Sequence, residues 1–158
     1  MNEISKGEQA EQLFKEGYNC SQSLALAFCE EIGIEKSKLL RIVSSFGGGM
    51  GRMREVCGAV SGMFFVAGAL YGYDNPKDLQ AKKEHYARIQ ELAARFQAET
   101  GSIVCRELLG LEGKDRNPVP SERTQEYYKK RPCPKMIRLA AEIMETYIQE
   151  QKEADCKA

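Results

Sequence analysis

Residues 46–73 read FGGGMGRMREVCGAVSGMFFVAGALYGY, and the assignment of this stretch decides the fold. It opens on glycines at positions 47, 48, 49 and 51, and no charged residue occurs between Glu55 and Asp74. A run of this length sits at the lower limit for a bilayer span. Its glycines and Cys57 keep it only modestly apolar, so the expectation is a buried central helix. Gly58 and Gly62 fall four apart, as do Gly68 and Gly72, and each pair shares a helical face. Glycine inside a helix costs up to ~1 kcal/mol against alanine. That cost makes sense where a neighbouring backbone or a bulky cofactor comes close. Cys57 stands at the head of this helix, where free amides and the helix dipole favour an anion such as a thiolate. Tight packing around an ordinary buried cysteine is the competing reading.

Toward the N-terminus, Ser5 and Glu8 form a capping-box pattern for a helix from about Ser5 to Gly17, with Ala10, Leu13 and Phe14 on one face. Asn19 caps a second helix, Cys20 to about Ile32, and Gly33 ends it. A third starts near Ser37, with Leu39, Ile42 and Val43 as its apolar face. Toward the C-terminus, Pro76 begins the longest helix, reaching about Thr100. Its expected buried stripe is Leu79, Tyr86, Ile89, Ala93 and Phe96. Ser102 starts a short helix through Leu109. Residues 111–120, LEGKDRNPVP, read as a surface loop, and 121–130 as a short helical piece. Pro134 opens the last helix, to about Gln149, and a frayed tail follows from about 150. No strand pattern competes. The expected fold is all-α: a single-domain irregular helical bundle over residues 1–158 around the central Gly-rich apolar helix.

A chain of 158 residues is long enough for one domain with its own core. Hydrophobic residues make up 42%, charged residues 29%, and the formal net charge is zero. No basic stripe with interleaved aromatics points to nucleic acid. The polar start, MNEISKGEQAEQ, shows no signal peptide, so a cytoplasmic location is expected, without membrane insertion. His85 is the single histidine, which leaves neither a Ser–His–Asp arrangement nor a Rieske pair. The glycine loop lacks the Lys and Ser/Thr of a P-loop and reads as a helix-connecting turn.

Six cysteines are many for a reducing compartment, where such a set binds metal or does redox chemistry more often than it forms structural disulfides. Cys20, Cys57, Cys105 and Cys133 each fall at or near an expected helix start, a setting that lowers thiol pKa values. Cys29 lies nine residues after Cys20, about half a turn round on the opposite face. Cys156 lies in the tail. Both are set aside as incidental. Arg54, Arg106 and Arg131 flank three of the four in sequence. Four thiolates from four helix starts would suit a metal centre. The absence of any C-x-x-C pair excludes a zinc ribbon, a thioredoxin motif and a bacterial ferredoxin run. From the residues alone, a metal site and ordinary thiols stand level.

Four blocks together resemble the family of redox-active proteins with the signature Cys…CGAxxG…Cys…Cys, the C_GCAxxG_C_C family. They are Asn19-Cys20-Ser21-Gln22, the glycine loop with Glu55-Val56-Cys57-Gly58-Ala59-Val60-Ser61-Gly62, Phe96 with Gly101-Ser102 and Cys105-Arg106-Glu107-Leu108-Leu109-Gly110, and Cys133-Pro134. The resemblance runs from about Ala10 to Ile148. It implies redox activity with a bound iron–sulfur centre. Cys20, Cys57, Cys105 and Cys133 would then be the ligands, with Gly58 and Gly62 making room for the cluster. The role would be electron transfer or redox sensing with a redox partner protein. Two alternatives stay open. One is a thiol–disulfide oxidoreductase with Cys57 as its low-pKa attacker, for which four cysteines allow three pairings. The other is a structural zinc site in a binding module. Whether the chain is an enzyme, and whether a homodimer completes the site, are open at this stage.

Overall fold

Reciprocal capping boxes start the first two helices. The Ser5 hydroxyl accepts from the Glu8 amide while the Glu8 carboxylate accepts from the Ser5 amide, and Asn19 and Gln22 repeat the arrangement. The computed structural model describes residues 3–111 and 117–157. The capped helices are α1 (Lys6–Lys15) and α2 (Cys20–Ala27). They are followed by α3 (Cys29–Ile32), α4 (Lys36–Val43), α5 (Gly47–Met50, a single turn with positive φ at Gly48, Gly49 and Met50), α6 (Gly58–Tyr71) and α7 (Leu79–Thr100). The chain ends with α8 (Cys105–Leu108), α9 (Gln125–Lys130) and α10 (Cys133–Lys157). Among the described residues there is no strand, only an isolated antiparallel bridge between Val56 and Val104. The fold is all-α.

The central helix is α6. It is apolar all round, as a largely enclosed helix is; Gly58 to Met63, Val66 and Ala67 are buried, while Gly68 and Ala69 near its end reach the surface. Helices α2, α7 and α10 pack on it, and α1 packs against α2 and α10. The core between them holds Phe14, Leu24, Phe28, Met63, Phe96 and Met144. Each such side chain contributes about 1.5–3 kcal/mol on burial. The Gly58 and Gly62 face meets α2. A Cβ at Gly58 would stand 2.9 Å from the Cys20 Cβ, and one at Gly62 would stand 2.9 Å from the Leu24 Cβ. The second glycine pair does no such work, because Gly68 has nothing within 4 Å of a built Cβ and Gly72 caps the helix end.

Three boundaries differ from expectation. The second helix breaks at Phe28 (φ −107°, ψ 18°), giving α2 and α3. Lys6 causes the break, for its ammonium donates to the Ala27 carbonyl (2.8 Å), pairs with Glu31 (2.6 Å) and lies over the Phe28 ring. A side chain inserted into the hydrogen-bond ladder kinks a helix. Next, α7 starts at Leu79 behind an Asp78 cap, and its outer stripe is not buried: Leu79 is 71% and Tyr86 54% exposed, while Leu92 and Phe96 are enclosed. Tyr86 lies edge-on to Tyr73 of the connecting segment instead of under a helix. Finally, α10 continues to Lys157 and not to Gln149, with Arg95 holding Glu150 at 2.8 Å where fraying was expected. Of the expected loop 111–120, positions 112–116 lie outside the described residues. Among the described residues, no helix is long and apolar enough to cross a membrane.

Candidate functional site

Four helix starts turn toward one cavity of about 250 Å³. Cys20 is the first residue of α2, Cys57 the N-cap of α6, Cys105 the first residue of α8 and Cys133 the first of α10, and all four line it. Convergence of these four side chains is the arrangement that the sequence spacing alone could not establish.

Two pieces of backbone build the wall. Residues 48–52 form a left-handed turn, with φ of 67° at Gly48, 71° at Gly49, 66° at Met50, 58° at Gly51 and 64° at Arg52. Glycine adopts this conformation freely, whereas other L-residues pay about 1–2 kcal/mol each. Gly49 has a second constraint, since a Cβ there would stand 2.6 Å from the Cys105 Cβ and 2.9 Å from the Glu55 amide nitrogen. The second piece is the bridge around Val56 and Val104. The Cys57 amide donates to Ile103 O (2.8 Å), the Cys105 amide to Glu55 O (2.6 Å) and the Arg106 amide to Arg54 O (3.2 Å). Main-chain bonds therefore hold Cys57 and Cys105 side by side.

Arginines supply the charge. Arg54, with φ 61°, is 5% exposed; its Nη1 lies 3.7 Å from Cys105 Sγ, and its Nε has no hydrogen-bond partner. Arg52, Arg123 and Arg131 also line the cavity, and no described Asp or Glu does. Arg123 stacks on Phe14 at 4.1 Å and donates to the carbonyls of Phe14 (3.1 Å) and Tyr18 (3.3 Å). It thus pins the segment carrying Ser121, Tyr127 and Arg131 across the end of α1. Arg52 ties the other side, donating to Asn117 O and to Ser121 Oγ. Arg106, adjacent to Cys105 in sequence, pairs instead with Glu55 at 3.2 Å and does not line the cavity.

The thiols are not equivalent. Burial pushes Cys57 up to about 12, although the Ala59 and Val60 amides point at its sulfur and favour the anion. Burial also raises Cys105, against the pull of Arg54. Cys20 and Cys133 both line the cavity and shift in opposite directions. Cys133 accepts from Cys20 and is helped by Arg131, Arg54 and Arg123, so its thiol is lowered to about 7. Cys20, the donor in a buried place, is raised well above the ordinary range. The expected general lowering at helix starts, and Cys57 as a low-pKa attacker, are both corrected. Withdrawal from water outweighs a few aligned amides, except where neighbouring arginines and a donor add to them.

The remaining candidates separate cleanly. Gly58 lines the cavity, but Gly62 does not; its open face is filled by Leu24 and Ser21 of α2, so its role is helix packing. Cys29 donates to Ile34 O at 3.4 Å, away from the cavity, and Cys156 is exposed. Sequence reading missed Arg52, Arg123 and Tyr127. Arg52 stood in the quoted stretch with no cysteine beside it, and nothing local marks Arg123 or Tyr127, which reach the site by a long-range connection. Among the described residues, no three His, Cys, Asp or Glu side chains are placed to hold a single metal ion.

By fold and site, this is an all-helical protein with four cysteines gathered on one basic cavity. It belongs to the family described as "Putative redox-active protein (C_GCAxxG_C_C)", whose model matches residues 18–147. That span takes in Cys20, Cys57, Cys105 and Cys133 and leaves out Cys156. No curated protein and no solved structure matches the chain.

Proposed function

We propose that Cys20, Cys57, Cys105 and Cys133 hold one iron–sulfur cluster, through which the protein passes or senses single electrons. The observation that carries this reading is the meeting of four helix starts, each bearing a cysteine, on one cavity lined by arginines and by no described carboxylate. A core of charge +2 with four thiolates leaves about two negative charges to offset. Arg54 and Arg131 are cations on the cavity wall, and the starts of α2, α6 and α10 add their dipole ends. When bound, the cluster supplies one-electron chemistry that no side chain here possesses.

The chain's own residues do the rest. Cys57 and Cys105, each 7% exposed, keep their side of the cavity from water. Burial favours the less charged state, whereas Arg54 beside Cys105 favours the more negative one, so their balance sets the potential. The Arg52 and Arg123 contacts fix the segment that brings Pro118, Pro120 and Ser121 to the cavity lining. A single zinc ion would draw thiolates to about 2.3 Å from one atom, and no three ligand-type side chains are so arranged among the described residues. A cluster would instead spread its thiolate ligands, Cys20, Cys57, Cys105 and Cys133, over more than one iron. A redox partner protein and a cytoplasmic setting belong to this same proposal.

The test is anaerobic purification with a visible spectrum and iron, sulfide and zinc analysis of one sample. Iron and sulfide in equal amounts, with visible absorption, are expected. Stoichiometric zinc without iron would replace the reading with a structural site.

A further inference from the structure

Arg54 is a buried cation with no carboxylate to match it. The residue is 5% exposed, its Nε has no hydrogen-bond partner, and its one side-chain bond among the described residues is the 3.7 Å contact from Nη1 to Cys105 Sγ. A guanidinium cannot shed its proton, so a buried one calls for an anion beside it. Two more donors on the same cavity wall are unengaged. Arg131 lies over the Tyr127 ring at 5.3 Å, and among the described residues its side chain makes no hydrogen bond or ion pair; the Tyr127 hydroxyl makes none either. Ser121 Oγ accepts from Arg52 at 3.3 Å and keeps its own proton to give. No described Asp or Glu lines the cavity. The donors come from separate parts of the chain: Arg54 from the turn before α6, Tyr127 from α9, and Arg131 from the link into α10.

We infer that the cavity binds a phosphate-class dianion, held by Arg54, Arg131 and Tyr127. Guanidinium forks bind the oxygens of such groups in pairs. Donors that approach from separate directions suit a tetrahedral oxyanion, whose oxygens point outward in three dimensions, better than a planar carboxylate. A doubly charged oxyanion also matches the charges of Arg54 and Arg131, where a halide would leave most of their N–H groups unbonded. The cavity is about 250 Å³, and Leu108, Leu109, Pro118 and Met136 give it apolar wall beyond the donors. Pockets of this make-up hold a ligand's polar head at a few placed groups and its body on the apolar lining. The oxyanion is therefore either inorganic phosphate or the head of a small phosphomonoester. This binding is independent of the iron–sulfur reading, since no metal takes part in it and none of the four thiols is a ligand.

The experiment is calorimetric titration of the metal-free full chain, in chloride buffer at neutral pH, with inorganic phosphate and separately with phenyl phosphate. Saturable binding of a single oxyanion per chain is expected. Arg54→Gln and Arg131→Gln should each weaken it by about tenfold or more, and Tyr127→Phe, which removes only the hydroxyl, by about fivefold. Arg138→Gln, an outer arginine already paired with Glu11 and Glu142, is the control and should bind as the wild type does. Tighter binding of phenyl phosphate assigns a phosphomonoester, and equal or weaker binding assigns free phosphate; both uphold the site. Helical content is checked for each variant, and if Arg54→Gln does not fold, Arg131→Gln and Tyr127→Phe still decide. No saturable binding of either compound, an equal loss in Arg138→Gln, or full binding in both Arg131→Gln and Tyr127→Phe overturns the inference. Iron and sulfide are measured on the same chain purified anaerobically. Iron with no phosphate binding removes this site and leaves the cluster; phosphate binding with no iron does the reverse.

Discussion

Gly58→Ala reverses the usual effect of replacing a helical glycine. In an open helix the change gains up to ~1 kcal/mol. At Gly58 the new Cβ would stand 2.9 Å from the Cys20 Cβ, 3.0 Å from the Phe46 carbonyl oxygen and 3.3 Å from the Ser21 amide nitrogen. All three atoms belong to, or sit directly on, the main chain, so none can swing aside. The start of α2 must move back by about half an ångström to restore normal contact, and such overpacking costs about 1–3 kcal/mol. The net expectation is a loss of about 1–2 kcal/mol. Gly68→Ala, ten residues along the same helix with nothing within 4 Å, is the internal control and should gain up to ~1 kcal/mol. Urea unfolding of the metal-free variants measures both. With a slope near 2 kcal/mol/M, their midpoints should differ by about 1 M. Gly58→Ala at or above wild-type stability, or Gly68→Ala clearly below it, refutes the packing argument.

Other consequences are equally open to measurement. Arg123→Ala removes the stack on Phe14 and two hydrogen bonds to carbonyls, so thermal unfolding should show a loss of about 2 kcal/mol. Among the four cavity cysteines of the metal-free protein, alkylation should begin at Cys133 near pH 7 and reach Cys57 only toward pH 12; equal rates for these two at neutral pH would contradict the burial argument. These shifts also set a stability profile. Cys133 is depressed in the fold, so its contribution is full above the unfolded thiol value near 9 and fades as pH falls through about 7. Cys57 is raised, so its contribution is full below about 9 and is lost as pH climbs to about 12. Urea midpoints should therefore rise from pH 7 to 9 and fall above it. Arg54→Gln removes a buried guanidinium whose Nε lacks a partner, so the metal-free protein should lose little stability while iron retention drops; unchanged iron content would remove Arg54 from the site.

Local chemistry carried much of the fold. The capping boxes at Ser5 and Asn19 are short-range signals, and the uncharged run after Glu55 marks the helix whose first half is buried. The four helix-start cysteines were legible for the same reason, because caps and prolines mark helix starts. What stayed hidden depends on distant partners. The break at Phe28 comes from Lys6 of α1 and not from a breaker in α2. The stripe at Leu79 and Tyr86 has helical spacing but no helix to cover it. The Val56–Val104 bridge pairs residues far apart in sequence, without alternation to announce it. The lowering expected at Cys20, Cys57 and Cys105 gave way to a rise because burial is a property of the whole fold, whereas a helix start is local. Gly62 followed the pattern for close approach, but the approaching group is Leu24.

The central claim is that four particular cysteines, and no others, hold one iron–sulfur centre. Iron and sulfide per chain should be measured on anaerobically purified wild type and on six single Cys→Ser variants. The account predicts iron and sulfide in the wild type, kept in Cys29→Ser and Cys156→Ser. It predicts loss of more than half of both in Cys20→Ser, Cys57→Ser, Cys105→Ser and Cys133→Ser, each checked for helical content. A wild type without iron, or loss that follows Cys29 or Cys156, contradicts it.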